Sequence, residues 1–325
     1  MGKIIRIGTR ESQLAVWQAE QVKDLLAKNG FAAELIFIKS EGDVDLKTPL
    51  YEMGVQGVFT RSLDTALLNN RIDVAVHSMK DVPTQLPKGI IQAAVLKRGP
   101  IHDLLVFKNT SSQNKYSIFN LPTEQAGIQH STFIVATSSI RRKAQWLNKF
   151  PNHQIENLRG NVNTRLRKLQ EENWDAAIFA QAGLERINLR PANSIVLDWM
   201  LPAPAQGAIM VVCREDDQFS FQACDQFNDA HTAQCTKIER DFLRTLLGGC
   251  STPISAYAEI KNDKVYFKGN IFSLDGNKKV EIEKAIPVNE SHGFGIKAAE
   301  ELLANGGNEI ADSIRKNSIS LNDEV

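Results

Sequence analysis

The chain has 325 residues, 42% hydrophobic and 23% charged, with 38 basic and 38 acidic side chains and a formal net charge of zero. That length suits two or three compact units, and the composition excludes a disordered or fibrous protein. Balanced charge argues against a general nucleic-acid or membrane binder, so any cationic site must be local. The opening residues, MGKIIRIGTR, enter a strand pattern with no apolar leader, and no run of about 18 apolar residues follows. The expectation is a cytoplasmic protein with no membrane span. Cys213, Cys224, Cys235 and Cys250 form no Cys-x-x-Cys pair and no histidine cluster accompanies them, so reduced thiols and no metal are expected.

In chain order, residues 3–7 read as a strand. Ser12 caps a helix running to about Lys28 and closed by Gly30, with Leu14, Trp17, Val22, Leu25 and Leu26 at helical spacing. Residues 34–38 are a strand, 60–70 a helix and 72–77 an apolar strand. This alternation predicts a parallel sheet covered by helices. After Gly99-Pro100 the pattern repeats: a strand at 133–136, a helix opened by Thr137-Ser138-Ser139, a short strand at 154–157, a helix from Asn161 to Glu171 and a strand at 175–179. Residues 109–131 read as a polar surface excursion. Leu201-Pro202-Ala203-Pro204 is a crossover into a strand at 208–213. From Ala230 a long helix leads to Gly248-Gly249, followed by strands at 254–260 and 264–271 and a helix at 295–304, a smaller third α/β unit.

Ligands of open α/β sheets sit at the carboxyl ends of strands, and four polar motifs fall there. Gly8-Thr9-Arg10-Glu11-Ser12 opens a helix, whose N–H groups favour an anion. His77-Ser78-Met79-Lys80-Asp81-Val82-Pro83 sets an acid beside a lysine, suited to proton transfer or to stabilising a cation. Thr137-Ser138-Ser139-Ile140-Arg141-Arg142 puts paired guanidiniums behind helix-opening hydroxyls, and Arg159-Gly160-Asn161-Val162-Asn163-Thr164-Arg165 flanks a turn with two more. Each motif alone is equally a capped helix or turn with solvated charges. Together they imply a ligand with several negative groups, with proton work left to Asp81 or Lys80, because guanidiniums stay charged. Cys250 follows two glycines on a loop and is either a nucleophile or an inert thiol; Cys213 lies in an apolar strand.

These motifs resemble the porphobilinogen deaminase family, most specifically through His77 to Pro83. Leu201-Pro202-Ala203, Gln206-Gly207-Ala208 and Gly248-Gly249-Cys250 continue the likeness in order along nearly the whole chain. The resemblance implies an α/β protein of three domains: two like the lobes of type II periplasmic binding proteins around a cleft (1–99 with 207–228, and 100–206) and a smaller C-terminal α/β domain (229–325). It implies a monomeric transferase joining four porphobilinogens head to tail, with loss of ammonia, on a dipyrromethane cofactor held by a thioether to Cys250. By the family pattern Asp81 is catalytic; Ser78, Lys80, Thr137, Ser139, Arg141, Arg142, Arg159 and Arg165 hold the cofactor; and Arg10, Ser12 and Gln206 lie on the substrate side. The chain departs from that pattern at Gln56, where the family has a loop lysine, and at Asn163 and Ala205, where glycine is usual. A further substrate arginine has only Arg190 as a candidate, with Ala192 aligning as well. A non-catalytic two-lobed anion-binding protein is the alternative, and a cysteine hydrolase using His77 a second.

Overall fold

Residues 3–39, 60–109, 133–246 and 252–320 are described by the computed structural model. The apolar run β1 (Ile5–Thr9), buried at four of its five positions, is followed by α1 (Gln13–Lys28) and β2 (Ala33–Phe37). Next come α2 (Arg61–Leu68), β3 (Val74–Ser78) and β4 (Ile90–Val95). The second unit contains β5 (Asp103–Phe107), β6 (Ile134–Ala136), α3 (Ile140–Lys149), β7 (Gln154–Glu156) and α4 (Val162–Glu171). It continues with β8 (Ala176–Ala180), α5 (Gln181–Glu185) and β9 (Ser194–Leu197). The chain then returns to the first sheet as β10 (Ile209–Arg214) and α6 (Gln218–Asp225). The last unit holds α7 (Ala230–Leu246), β11 (Ile254–Lys261), β12 (Lys264–Phe272), β13 (Lys279–Pro287), α8 (Phe294–Leu302) and α9 (Asn308–Ser320).

The first sheet has the order β2-β1-β3-β10-β4 and the second β7-β6-β8-β5-β9. Neither is wholly parallel, which corrects the expectation. β1 pairs in parallel with β2 and β3, and β6 with β7 and β8, as alternation predicts. β10 runs antiparallel to β3 and β4, and β5 antiparallel to β8 and β9. β5 and β10 each enter right after a crossing between units, so no crossover helix dictates their direction. Apolar clusters cover both faces of each five-stranded sheet. The third sheet, β11-β12-β13, is an antiparallel meander with a core of its own. There Phe267 meets Phe242 and Phe294 edge-on at 5.1 and 5.6 Å between centroids.

Two chain crossings join the five-stranded units and lie side by side, with Gly99 N donating to Gly207 O at 3.0 Å. Gly207 has φ +86°, and a Cβ there would stand 2.7 Å from Gly99 O, so only glycine fits. Buried Glu239 of α7 ties the third unit to both crossings. It accepts from Arg98 Nη1 and Nη2 (2.5 and 3.0 Å), Ala205 N (2.6 Å) and Ala258 N (2.7 Å).

Candidate functional site

The carboxyl ends of β1, β3 and β8, and the loop leading into α4, face a cleft of about 230 Å³ between the two larger units. On the first unit Ser12, in extended conformation, accepts from Ala15 N at 3.4 Å and caps α1, which leaves Arg10 and Ser12 on the wall. β3 ends in a single 3₁₀ turn, Met79–Asp81, pinned by the buried side chains of Met79 and Val82. Arg240 of α7 reinforces this turn by donating to Met79 O, Val82 O and Pro83 O at 3.3, 2.9 and 2.6 Å. Ser78 Oγ accepts from Gln18 Nε2 at 2.9 Å. Lys80 and Asp81 project into the cleft, and Lys80 Nζ donates to Gln206 Oε1 at 3.4 Å.

On the facing unit Gly160, at φ +111°, turns the chain into α4, which Asn161 caps by accepting from Thr164 N at 2.9 Å. Arg165 Nε returns to Gly160 O at 2.7 Å, which aims its remaining donors at the opening. Asn163 Nδ2 reaches across the mouth to Gln13 Oε1 at 3.0 Å. Glycine at that position would lack this bridge.

Behind the wall lies fully buried Asp103. Arg141 Nη2 donates to its Oδ2 at 2.7 Å, and Arg142 Nη2 and Gln206 Nε2 to its Oδ1 at 2.8 and 3.0 Å. Arg142 also donates to Ile178 O (2.9 Å) and Arg141 to Leu201 O (2.7 Å). The Nε atoms of both are buried with no partner among the described residues. Burial by itself would raise the Asp103 carboxyl, but the two guanidiniums overcome that and hold it well below the usual carboxylate range.

Of the residues expected at the site, Arg10, Ser12, Ser78, Lys80, Asp81, Arg142, Arg159, Arg165 and Gln206 share this cleft. Three others stand behind the wall instead. Thr137 is buried, its Oγ1 accepting from Ser139 N at 3.2 Å; Ser139 caps α3 by accepting from Arg142 N at 3.4 Å; and Arg141 is committed to Asp103. As placed, they position α3 and Arg142. Gln206 is likewise spent, with Nε2 on Ile101 O (2.6 Å) and Asp103, so it positions Lys80. Arg190 is exposed and paired with Glu185 at 2.7 Å, away from the cleft. The cleft arginine that sequence reasoning missed is Arg186, which follows β8 just past the end of α5 and donates to Gly207 O at 2.6 Å. The strand-end rule that picked out Lys80 would have found it. Cys250 and Gln56 fall outside the described residues.

The electrostatics are one-sided. Arg10, Lys80, Arg142, Arg159, Arg165 and Arg186 line the cleft, Arg142 already paired with Asp103 behind it, and among the described residues the one carboxylate on the lining is Asp81. Burial, aided by the like charge of Arg142, pushes Arg165 down to about 10, and burial takes Arg186 to about 10. Burial also lowers Lys80 to about 8, against the pull of Asp81. For Lys80 and Arg165 burial outweighs the attraction of Asp81, so further negative charge in the cleft would favour their charged forms. His77 Nε2 is buried with no partner among the described residues, and burial with the nearby charge of Arg10 lowers the imidazole to about 4, so it is neutral near pH 7. No cluster of metal-ligating side chains occurs among the described residues, and no helix of the described residues is long and apolar enough to cross a membrane.

A cleft between two mixed α/β units, walled among the described residues by cations around one acid, defines a two-lobed α/β protein with a cationic cleft. The chain belongs to the porphobilinogen deaminase family. The family model described as porphobilinogen deaminase, dipyromethane cofactor binding domain, matches residues 5–222, and that of the C-terminal domain residues 233–304. A porphobilinogen deaminase of Geobacter sulfurreducens is 38% identical over 99% of this chain and 98% of its own. One of Chloroherpeton thalassium is 39% identical over 97% and 99%. Solved structures overlap more loosely: an ancestral cationic amino acid solute binding protein covers 69% of this chain and 87% of its own at 12% identity, TM-score 0.41. Family membership supports the enzyme over the non-catalytic anion binder.

Proposed function

We propose that the chain joins four porphobilinogens head to tail, releasing ammonia, to give the linear tetrapyrrole hydroxymethylbilane, and that it does so as a monomer in the cytoplasm. The observation that carries this reading is Asp81, the single carboxylate among the described residues of the lining, facing a wall of guanidiniums in one cleft. Porphobilinogen bears acetate and propionate groups, so a growing chain accumulates negative charge. Each charge-assisted hydrogen bond contributes about 1.5–3 kcal/mol, so a few such bonds from this wall would hold a polycarboxylate firmly. A dipyrromethane cofactor fits the same surplus. Ser78, Lys80, Arg142, Arg159 and Arg165 would hold its carboxylates, with Thr137, Ser139 and Arg141 fixing the helix behind them. Bound through a thioether to Cys250, it supplies the pyrrole on which the chain starts.

The work of this chain's own residues follows from their placement. Loss of ammonia from porphobilinogen breaks the C–N bond, the nitrogen keeping the electron pair, and leaves a cationic azafulvene. Asp81 stabilises that cation and takes the proton released when the new carbon–carbon bond forms. Arg10 and Ser12, with Arg186, orient the incoming carboxylates. Lys80, held by Gln206, stands beside Asp81 in the cleft.

The test pairs kinetics with intact mass. Asp81→Asn should keep the cofactor mass yet lose at least about a thousandfold in ammonia release, in line with removal of a general acid–base group. Normal turnover in that variant removes Asp81 from its role. Protein from cells that make porphobilinogen should carry a dipyrrole adduct that Cys250→Ser abolishes; an unmodified mass refutes the thioether.

A further inference from the structure

A second cavity lies apart from the cleft, on the seam between the second and third units. In β12, Lys264, Tyr266, Lys268, Asn270 and Phe272 share one face, while Val265, Phe267 and Ile271 pack into the core of the third unit. Lys264, Tyr266 and Lys268 are exposed, but Asn270 and Phe272 are only 5% and 3% exposed, because α3 covers that end of the sheet. Two contacts dock it: Gln145 Nε2 donates to Ser255 Oγ at 3.1 Å and Asn148 Nδ2 to Gly276 O at 2.8 Å. The cover is incomplete and leaves a cavity of about 400 Å³ between helix and sheet.

Three features of its lining are open to a ligand: an orphaned acceptor, an exposed lysine and aromatic walls. Asn270 Oδ1 is buried with no hydrogen-bond partner among the described residues, where buried acceptors nearly always have one. Lys149, at the end of α3, pairs with no carboxylate among the described residues; its Nζ sits 4.7 Å from the centroid of the Trp199 ring. The other lysines on the rim are neutralised, Lys268 by Glu283 at 3.0 Å and Lys279 by Glu281. Trp199 and Phe272 supply aromatic walls. A hydrogen-bond donor, a negative group and a flat ring would satisfy all three.

We infer that this cavity is a second binding site, for a small heteroaromatic carboxylate carrying a ring N–H. The N–H donates to Asn270 Oδ1, the carboxylate meets Lys149, and the ring packs against Trp199 and Phe272. The ligand joins the last turn of α3 to β12, and the first turn of the same helix holds Arg142 in the cleft. Occupancy therefore steadies the second unit against the third. The site stands on its own geometry and does not depend on the proposed reaction.

The test is calorimetric titration of the full-length protein with indole-2-carboxylate. Saturable one-to-one binding is expected, weakened roughly tenfold or more in Lys149→Gln and lost in Asn270→Leu. Because the leucine is close in size and leaves no orphaned oxygen, the melting temperature of Asn270→Leu should not fall. Basal turnover of Lys149→Gln should match the parent, and Arg165→Gln should bind as the parent does. Absence of binding overturns the inference. So does binding that survives both seam substitutions, or that only Arg165→Gln abolishes, since the ligand then sits in the main cleft. In the Asp81→Asn background, porphobilinogen displacing the indole acid would make the substrate itself the occupant; failure to displace it would assign the site to another aromatic acid.

Discussion

Asp103→Asn tests whether the arginine wall depends on one buried charge. The carboxylate is fully buried and takes Arg141 at 2.7 Å, Arg142 at 2.8 Å and the Gln206 amide at 3.0 Å. Asparagine preserves the shape, so no cavity is created. It removes the one carboxylate among the described residues that pairs with these two nearly buried guanidiniums. Breaking a buried ion pair from one side costs about 3–5 kcal/mol, a large part of the 5–15 kcal/mol, roughly, that a folded domain has in total. The sign of the pH dependence is fixed by the depressed carboxyl: the stabilisation is present above its unfolded value of about 3.9 and is lost as pH falls through the lower folded value. Urea denaturation followed by tryptophan emission, which three of the four tryptophans (Trp146, Trp174 and Trp199) report from the second unit, should show the variant weaker by that amount at pH 7. The gap should narrow below about pH 4. A difference under about 1 kcal/mol at pH 7, the size of an ordinary neutral hydrogen bond, or a gap that ignores pH, would refute the reasoning.

Burial brings Lys80 to about 8 from its ordinary 10.5. Its charge fades as pH rises past that point, so the cleft's affinity for a tetracarboxylate probe should fall between about pH 7 and 9; Lys80→Met should flatten that decline, and a flat profile in the parent would exclude it. Folding has the opposite slope, since the cost of carrying that buried charge is present below about 8 and is relieved as pH rises toward 10.5. Glu239→Gln should cost about 3–5 kcal/mol and speed amide exchange at Ala205 and Ala258, whose N–H groups it accepts at 2.6 and 2.7 Å; unchanged protection would show that the crossings hold without it. His77, lowered to about 4, is neutral at working pH. His77→Gln should therefore keep most activity, whereas complete loss with an intact fold would favour a thiol hydrolase.

Much of the site was legible because its devices are local. Ser12, Ser139 and Asn161 cap their helices as read, since a side chain closing on an N–H three residues ahead needs no distant partner. The end of β3 could be placed because an apolar run must stop where polar residues and Pro83 begin. Strands β4, β5, β9 and β13 were not read. β5, buried at every position, shows no alternation to betray it, whereas β13 alternates and was overlooked. Arg186 was passed over for Arg190, although it follows a strand end as Lys80 does.

What the sequence by itself determined was the inventory of cations at strand ends, the lone acid beside Lys80 and the helix starts that aim them. Tertiary structure decided which cations face the ligand. Arg141 and Arg142 are adjacent in sequence and both pair with Asp103, 38 residues upstream of Arg141, yet only the second also lines the cleft. It also set the direction of β5 and β10 and buried Asn270 under a helix of another unit. The physical reason is range: capping and periodicity act within a few residues, whereas ion-pair partners, strand direction and burial depend on which distant segments pack together, and a linear pattern carries no record of that contact.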